Sequence, residues 1–171
     1  GTYSEQINFK GKSIVVRSEE GPTSTKILGT NLYGDSASIV LMVNHEGPRA
    51  ALRGFNLEGG QIGVRINNDA VISNNILTNQ TNVALYIKGP AFVINNTICH
   101  AGHAGILCQS VASLNASIIN NIVVFGNYGM MGARGSYNNV YGNWENYYHD
   151  SPGLGSISVN PQFVDETSGN Y

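Results

Sequence analysis

Ile72-Ser73-Asn74-Asn75-Ile76-Leu77 decides the reading of this chain because it recurs. Val93-Ile94-Asn95-Asn96-Thr97-Ile98 and Ile118-Ile119-Asn120-Asn121-Ile122-Val123 carry the same order of apolar residue, spacer, two asparagines, spacer and apolar residue. A degenerate later copy is Ser136-Tyr137-Asn138-Asn139-Val140-Tyr141, and a variant first copy is Leu52-Arg53-Gly54-Phe55-Asn56-Leu57. The copies begin at positions 52, 72, 93, 118 and 136, giving spacings of 20, 21, 25 and 18. A second element lies between them: Gly63-Val64-Arg65-Ile66, Ala84-Leu85-Tyr86-Ile87, Gly105-Ile106-Leu107-Cys108 and, more loosely, Gly129-Met130-Met131, recurring at 21, 21 and 24.

Two interleaved elements on one period describe a coil of about 21 residues holding at least two short strands. That is too short for paired helices, and the 3.6-residue apolar period of a helix is missing. A leucine-rich ladder with its helical return is missing as well, and Gly, Asn and β-branched residues fill the return path. The pattern predicts an all-β chain, a parallel β-solenoid of about seven coils. Stacked coils place equivalent residues about 4.8 Å apart, so a column of asparagine amides can donate to one neighbour and accept from the next. Asparagine also tolerates the left-handed backbone of a sharp corner. A column of carboxylates would repel itself at every rung. Asn74, Asn75, Asn95, Asn96, Asn120 and Asn121 are therefore expected to form a structural corner ladder.

Composition agrees with a surface made of turns and neutral amides. The 171 residues include 22 Asn and 21 Gly but only 4 Asp and 4 Lys, and charged residues make up 12%, about half the usual share. The net charge of −2 suggests neither a nucleic-acid grip nor an acidic tail. No apolar run approaches the roughly 18 residues of a membrane span, and no charged start followed by an apolar stretch marks a signal peptide. A single domain over residues 1–171, soluble and not inserted in a membrane, is the expectation. Cys99 and Cys108 are read as two buried thiols or one incidental bridge.

These repeats resemble those of right-handed parallel β-helix proteins of the pectate lyase-like superfamily, over essentially the whole chain. Tyr3-Ser4-Glu5-Gln6-Ile7, Gly11-Lys12-Ser13-Ile14, Gly21-Pro22 and Thr25-Lys26-Ile27-Leu28-Gly29 are similar to the opening coils of secreted members. Asn160-Pro161-Gln162-Phe163-Val164-Asp165 with Gly169-Asn170-Tyr171 is similar to their closing coil. The resemblance implies a right-handed coil, an extracellular or cell-surface location in a bacterium, and a chain that is a fragment of a longer one.

Alternation assigns faces in the second element. Val64 and Ile66, Leu85 and Ile87, and Ile106 and Cys108 point inward, because adjacent strand residues project to opposite sides. The outward row is Arg65, Tyr86, Leu107 and Met131, followed two residues on by Asn67, Lys88, Gln109 and Ala133. The continuous apolar run Ser38-Ile39-Val40-Leu41-Met42-Val43 leaves its facing open.

Parallel β-helix enzymes act on polysaccharides laid along an outer sheet, and the sequence can be tested against that chemistry. A hydrolase needs carboxylates gathered on adjacent coils to supply acid and base. Asp35, Asp69, Asp150 and Asp165 are scattered, and Glu5, Glu19, Glu20, Glu46, Glu58, Glu145 and Glu166 keep no coil-to-coil register. Calcium-assisted lyases need clustered oxygen ligands, which this pattern does not offer. Arg65 and Lys88, on neighbouring coils, are the candidates for proton removal and enolate stabilisation beside a uronate carboxylate. Arg65, Asn67, Tyr86, Lys88 and Gln109 form the expected substrate-binding face. Cys99, His100, His103 and Cys108 offer soft ligands, but the inward register of Cys108 sets them apart, so neither a metal nor a cofactor is expected. The aromatics Tyr137, Tyr141, Trp144, Tyr147 and Tyr148 are read as pinning a long loop against the rod. Pro152 and Gly153-Leu154-Gly155 are read as the turn that returns the chain to its last strand.

The leading expectation is an extracellular carbohydrate-associated module that binds glycan weakly and has no complete catalytic site. A polysaccharide lyase acting on uronate polymers and a purely structural surface or adhesive module are the alternatives. The expected partner is a polysaccharide rather than a nucleic acid, with homo-oligomers formed through a terminal coil.

Overall fold

A computed structural model describes residues 1–30, 37–109 and 115–165. Asp35, Glu166 and the motif Gly169-Asn170-Tyr171 lie outside the described residues. The chain winds through three parallel sheets in turn. Sheet A holds β1 (Thr2–Tyr3), β4 (Lys26–Gly29), β7 (Asn56–Gly59), β10 (Ile76–Thr78), β13 (Thr97–Cys99), β16 (Ile122–Val124) and β19 (Asn139–Tyr141). Sheet B holds β2 (Ile7–Asn8), β5 (Ser38–Met42), β8 (Ile62–Ile66), β11 (Val83–Ile87), β14 (Ala104–Cys108), β17 (Tyr128–Met131) and β20 (Glu145–Tyr148). Sheet C holds β3 (Val15–Arg17), β6 (Ala51–Arg53), β9 (Ala70–Ser73), β12 (Ala91–Ile94), β15 (Ser117–Ile119) and β18 (Gly135–Ser136). This is an all-β parallel solenoid. Two sheets have seven rungs and the third has six, so about six complete turns replace the expected seven.

Each sheet contributes inward columns of aliphatic side chains. Leu57, Leu77, Ile98, Val123 and Val140 stack in sheet A, at most 1% exposed. Val40, Val64, Leu85, Ile106 and Met130 do so in sheet B, and Leu52, Ile72, Val93 and Ile118 in sheet C. Burying each of these residues is worth about 1.5–3 kcal/mol, which makes the columns the main support of the fold. All five residues of β5 are buried, which is why its sequence showed no alternation. The Gly or Ala that opens the second element has a steric reason. A Cβ on Gly105 would lie 2.4 Å from Val123 Cγ1 and 2.8 Å from the Gly129 carbonyl oxygen, so side chain and backbone crowd this position.

The corner from sheet C to sheet A is two residues long in successive coils, and the two asparagines of a pair play different parts in it. The first is exposed and left-handed: φ is 56° at Asn74, Asn95 and Asn120. The second is buried and bonds along the rod. Asn75 Nδ2 donates to Asn96 Oδ1 at 3.1 Å, Asn96 Nδ2 to Asn121 Oδ1 at 3.0 Å, and Asn121 Nδ2 to Asn138 Oδ1 at 3.0 Å. Each of these oxygens also accepts a backbone N–H from the preceding coil: those of Asn75, Asn96 and Asn121. Phe55 N–H starts the series on Asn75 Oδ1, and Asn138 N–H ends it on Ser156 Oγ.

The last asparagine pair sits one residue out of the expected register. Ile118 pairs with Gly135 rather than Ser136, so Tyr137 takes the left-handed corner position (φ 58°) and Asn138 the buried one. Asn139 belongs to β19. The step here is 17 residues, the separation of Asn121 from Asn138, because the intervening loops are shorter.

Ala133 and Tyr147 depart from their expected places, whereas Cys108 faces inward as expected. Ala133 is 1% exposed and packs in the core, since left-handed Gly132 (φ 59°) turns the chain directly after β17 and ends the alternation. Cys108 touches the core but is only half-buried, at the end of its strand. Tyr147 is in register with Met130 on the inward side, so it packs against the core rather than against a loop. Past Gly153-Leu154-Gly155 the chain rejoins sheet A, with Val140 N–H donating to the Ile157 carbonyl. Among the described residues, no helix is long and apolar enough to cross a membrane.

Candidate functional site

The outer face of sheet B brings the predicted side chains into one line. Leu41, Arg65, Tyr86, Leu107, Met131 and Tyr148 occupy one register position on β5, β8, β11, β14, β17 and β20. Beside them runs a second row. The backbone N–H groups of Asn67, Lys88 and Gln109 donate to the carbonyls of Met42, Ile66 and Ile87 respectively, continuing the ladder one residue beyond the strands. All three of these side chains are exposed.

Arg65 and Lys88 share one partner. Arg65 Cζ lies 5.0 Å and Lys88 Nζ 5.4 Å from the centroid of the Tyr86 ring. Such contacts are worth about 0.5–1 kcal/mol each where exposed, and they hold the two cations beside a single phenol. Tyr86 thus acts as the post against which the positive charges are set. The pair presents a compact basic patch suited to a carboxylate-bearing ligand.

Further along the same face is an aromatic cluster. Tyr128, at the head of β17, lies 4.6 Å from Tyr148, 5.6 Å from Trp144 and 5.5 Å from His103 between ring centroids. Tyr148 also meets His149 edge-on at 4.0 Å. Trp144 is 75% exposed, so its ring faces solvent rather than pinning a loop. Sequence reading missed Tyr128 and weighed His103 only as a metal ligand. Tyr128 holds the register position of Ala104 and Val83, but the step from Ala104 is 24 residues rather than 21, which hides the equivalence. From Tyr86 to Tyr148 is three rungs, about 14 Å, so cations and aromatics lie along one track.

The acidic side chains have separate partners. Glu46 is 2% exposed, and its carboxylate accepts the N–H groups of Gly11, Val43 and Asn44, a loop anchor that the sequence did not disclose. Glu58 pairs with Lys26 at 2.6 Å, and Asp150 pairs with Arg134 at 3.5 Å. Glu145, exposed at the head of β20, is in register with Tyr128 and stands alone among these acids on the aromatic end of the track. Among the described residues, no three His, Cys, Asp or Glu side chains gather as a metal site. His100 stacks on Phe125 at 5.8 Å, His103 meets Tyr128, and Cys99 and Cys108 are unbridged on different sheets.

The outer face of sheet B presents charged, hydrogen-bonding and apolar groups together. It offers fixed cations, amide side chains and an open aromatic surface in sequence along the rod. No protein-family model matches the chain, and neither a curated protein nor a solved structure shows significant similarity to it.

Proposed function

We propose that this protein is an extracellular, carbohydrate-associated solenoid module that binds glycan chains weakly along the outer face of sheet B and carries no complete catalytic site. The observation behind this reading is the continuity of the track: Arg65 and Lys88 set against Tyr86, then Leu107 and Met131, then the open rings of Tyr128, Trp144 and Tyr148. Sugar rings stack on aromatic faces through their C–H surfaces, and a uronate carboxylate is attracted to paired cations. Asn67 and Gln109 supply amides for hydroxyl groups. A right-handed coil and a secreted bacterial origin belong to the same reading and are supported by the resemblance in the repeats. Leu154, Ile157, Val159 and Val164 are exposed on the last coil, which supports end-to-end association of copies.

Affinity electrophoresis in polygalacturonate and in neutral glucans tests the binding. Retardation by polygalacturonate that is reduced in both Lys88→Ala and Trp144→Ala supports the reading. Unchanged mobility in every polymer removes it and leaves a structural module. The lyase alternative draws on the placement of Lys88 and Arg65 beside the Tyr86 phenol. It requires a rise in the ultraviolet absorbance of unsaturated product that Lys88→Ala abolishes. Sedimentation velocity showing a strict monomer at high concentration would remove the end-to-end association.

A further inference from the structure

We propose that the groove over sheet C is a second ligand site, for a short neutral saccharide whose hydroxyl groups are anchored by Asp150. The groove is open to solvent and has a volume of about 460 Å³; its floor is β15 and β18, and its wall is the segment from Asp150 to Gly153. The wall is held from both sides. A Cβ on Gly153 would lie 1.9 Å from the Gly135 carbonyl oxygen, so the two backbones touch, and Tyr137 N–H donates to the Leu154 carbonyl at 2.8 Å. The opening is therefore built into the fold at this end of sheet C.

Asp150 is what makes the groove more than a crease. Its side chain is only 9% exposed, whereas that of its ion-pair partner Arg134 is 82% exposed. Arg134 Nε, at 3.5 Å, and the Ser151 N–H, at 2.9 Å, both reach Oδ1. Oδ2 accepts no hydrogen bond from any described residue and is not sealed from solvent, so it stays open to a donor in the groove. An ion pair with a largely hydrated partner is worth little, and a carboxylate mostly withdrawn from water gains from added donors. Hydroxyl groups of a ligand supply such donors, and hydrogen bonds to a charged acceptor are the strong kind. Ser117 and Ser136 add hydroxyls on the floor, and Ile119 adds an apolar contact. One rung away, Phe92 is in register with Ser117 and 52% exposed, a platform for the C–H face of a second ring.

Charge decides the ligand class. Asp150 is matched by Arg134 alone, so a uronate would bring a second negative charge to a groove without a spare cation among its lining residues. The neutral sugar expected here therefore differs from the acidic one expected on sheet B, and the two sites stand or fall separately.

The test is an amide-resolved NMR titration of the full chain with cellobiose, xylobiose and maltose. Saturable shifts at Ser117, Ser136 and Ser151 are expected with at least one of them, weakened tenfold or more in Asp150→Ala. Should Asp150→Ala lose its dispersed spectrum, Ser136→Tyr, which fills the groove from its half-exposed floor, must abolish the same shifts. Absence of saturable shifts with all three sugars, or shifts that persist in a folded Asp150→Ala or Ser136→Tyr, overturns the proposal. Shifts confined to Tyr128 and Trp144 would overturn it while leaving the sheet B reading intact.

Discussion

Replacing Asn96 should cost several times more stability than replacing Asn95, although the sequence presents the two as equals. Asn96 is 1% exposed. Its Oδ1 accepts the Asn75 N–H at 3.0 Å and Asn75 Nδ2 at 3.1 Å; its Nδ2 donates to the carbonyls of Ile72 at 3.0 Å and Ile94 at 3.2 Å and to Asn121 Oδ1 at 3.0 Å. In Asn96→Ala the buried Asn75 N–H loses its acceptor outright. Asn75 Nδ2 keeps the Leu52 carbonyl, and Asn121 Oδ1 keeps the Asn96 N–H. One orphaned buried donor costs about 1–3 kcal/mol, and the weakened neighbours and a small void bring the total to roughly 3–5 kcal/mol. Asn95 is exposed and left-handed, so Asn95→Ala costs only the conformational penalty, about 1–2 kcal/mol, and Asn95→Gly costs almost nothing. Asn96→Asp adds a pH signature. An ionised carboxylate there would face three oxygens that now receive hydrogen bonds, so its pKa must rise above the ordinary value of about 3.9. A raised carboxyl pKa means the folded state loses stability as pH climbs from the unfolded value through the folded one. Asn96→Asp should therefore be least damaged near pH 4 and worse at pH 7, whereas the gap between Asn96→Ala and the parent stays level. Urea unfolding followed by far-ultraviolet circular dichroism, with the slope checked for constancy, measures all four variants. Equal losses for Asn95→Ala and Asn96→Ala, or a loss below about 1 kcal/mol in the latter, would refute the division of labour.

Glu46→Ala should destabilise by about 3 kcal/mol, because three backbone N–H groups lose a charged acceptor; hydrogen exchange should rise first at Val43 and Asn44. Gly105→Ala should lower the melting temperature, since the new methyl collides with Val123 and the Gly129 carbonyl; an unchanged melting curve would mean that the packing around β14 is looser than described. Tyr86→Phe should keep any polygalacturonate binding and Tyr86→Ala should weaken it a few-fold, because the ring rather than the hydroxyl positions the cations. In the native state a thiol reagent should react with Cys108 well before Cys99, which is fully buried; two fast thiols would contradict that packing.

The solenoid was legible in the sequence because a two-residue corner makes the same two demands in coil after coil. One position must be left-handed and the next must carry an inward side chain. The pattern shows that both requirements exist, but not which asparagine meets which, since one residue type satisfies both. At the last copy Tyr137 stands in the left-handed position, so the Asn138-Asn139 pair suggested an alignment one residue off. Alternation found Val64, Leu85 and Ile106 because they lie inside strands; it failed at Ala133, where a left-handed glycine intervenes. Arg65 and Lys88 could be placed on neighbouring rungs, but their common contact with Tyr86 depends on rotamers that no spacing encodes. Asp150 is brought to Arg134, immediately ahead of β18, by the turn before Gly153, which belongs to no repeated element.

A repeat protein offers its own control for separating folding from binding. Equivalent positions on successive rungs face the same backbone geometry, so the fold asks the same of each, and a column of similar residues is explained by stacking alone. The inward columns of sheets A, B and C and the buried asparagines are of that kind. An outward position whose occupant departs from its column is not explained by stacking. Tyr128 follows Val83 and Ala104, Phe92 stands between Val71 and Ser117, and Arg65 and Tyr86 precede Leu107 and Met131. These departures fall on the sheet B track and beside the sheet C groove, away from the corners that hold the coils together. Substitutions at Trp144 or Asp150 therefore test the two proposed sites, whereas substitutions at Asn96 bear on folding, and a loss of binding in an Asn96 variant carries no information about either proposal.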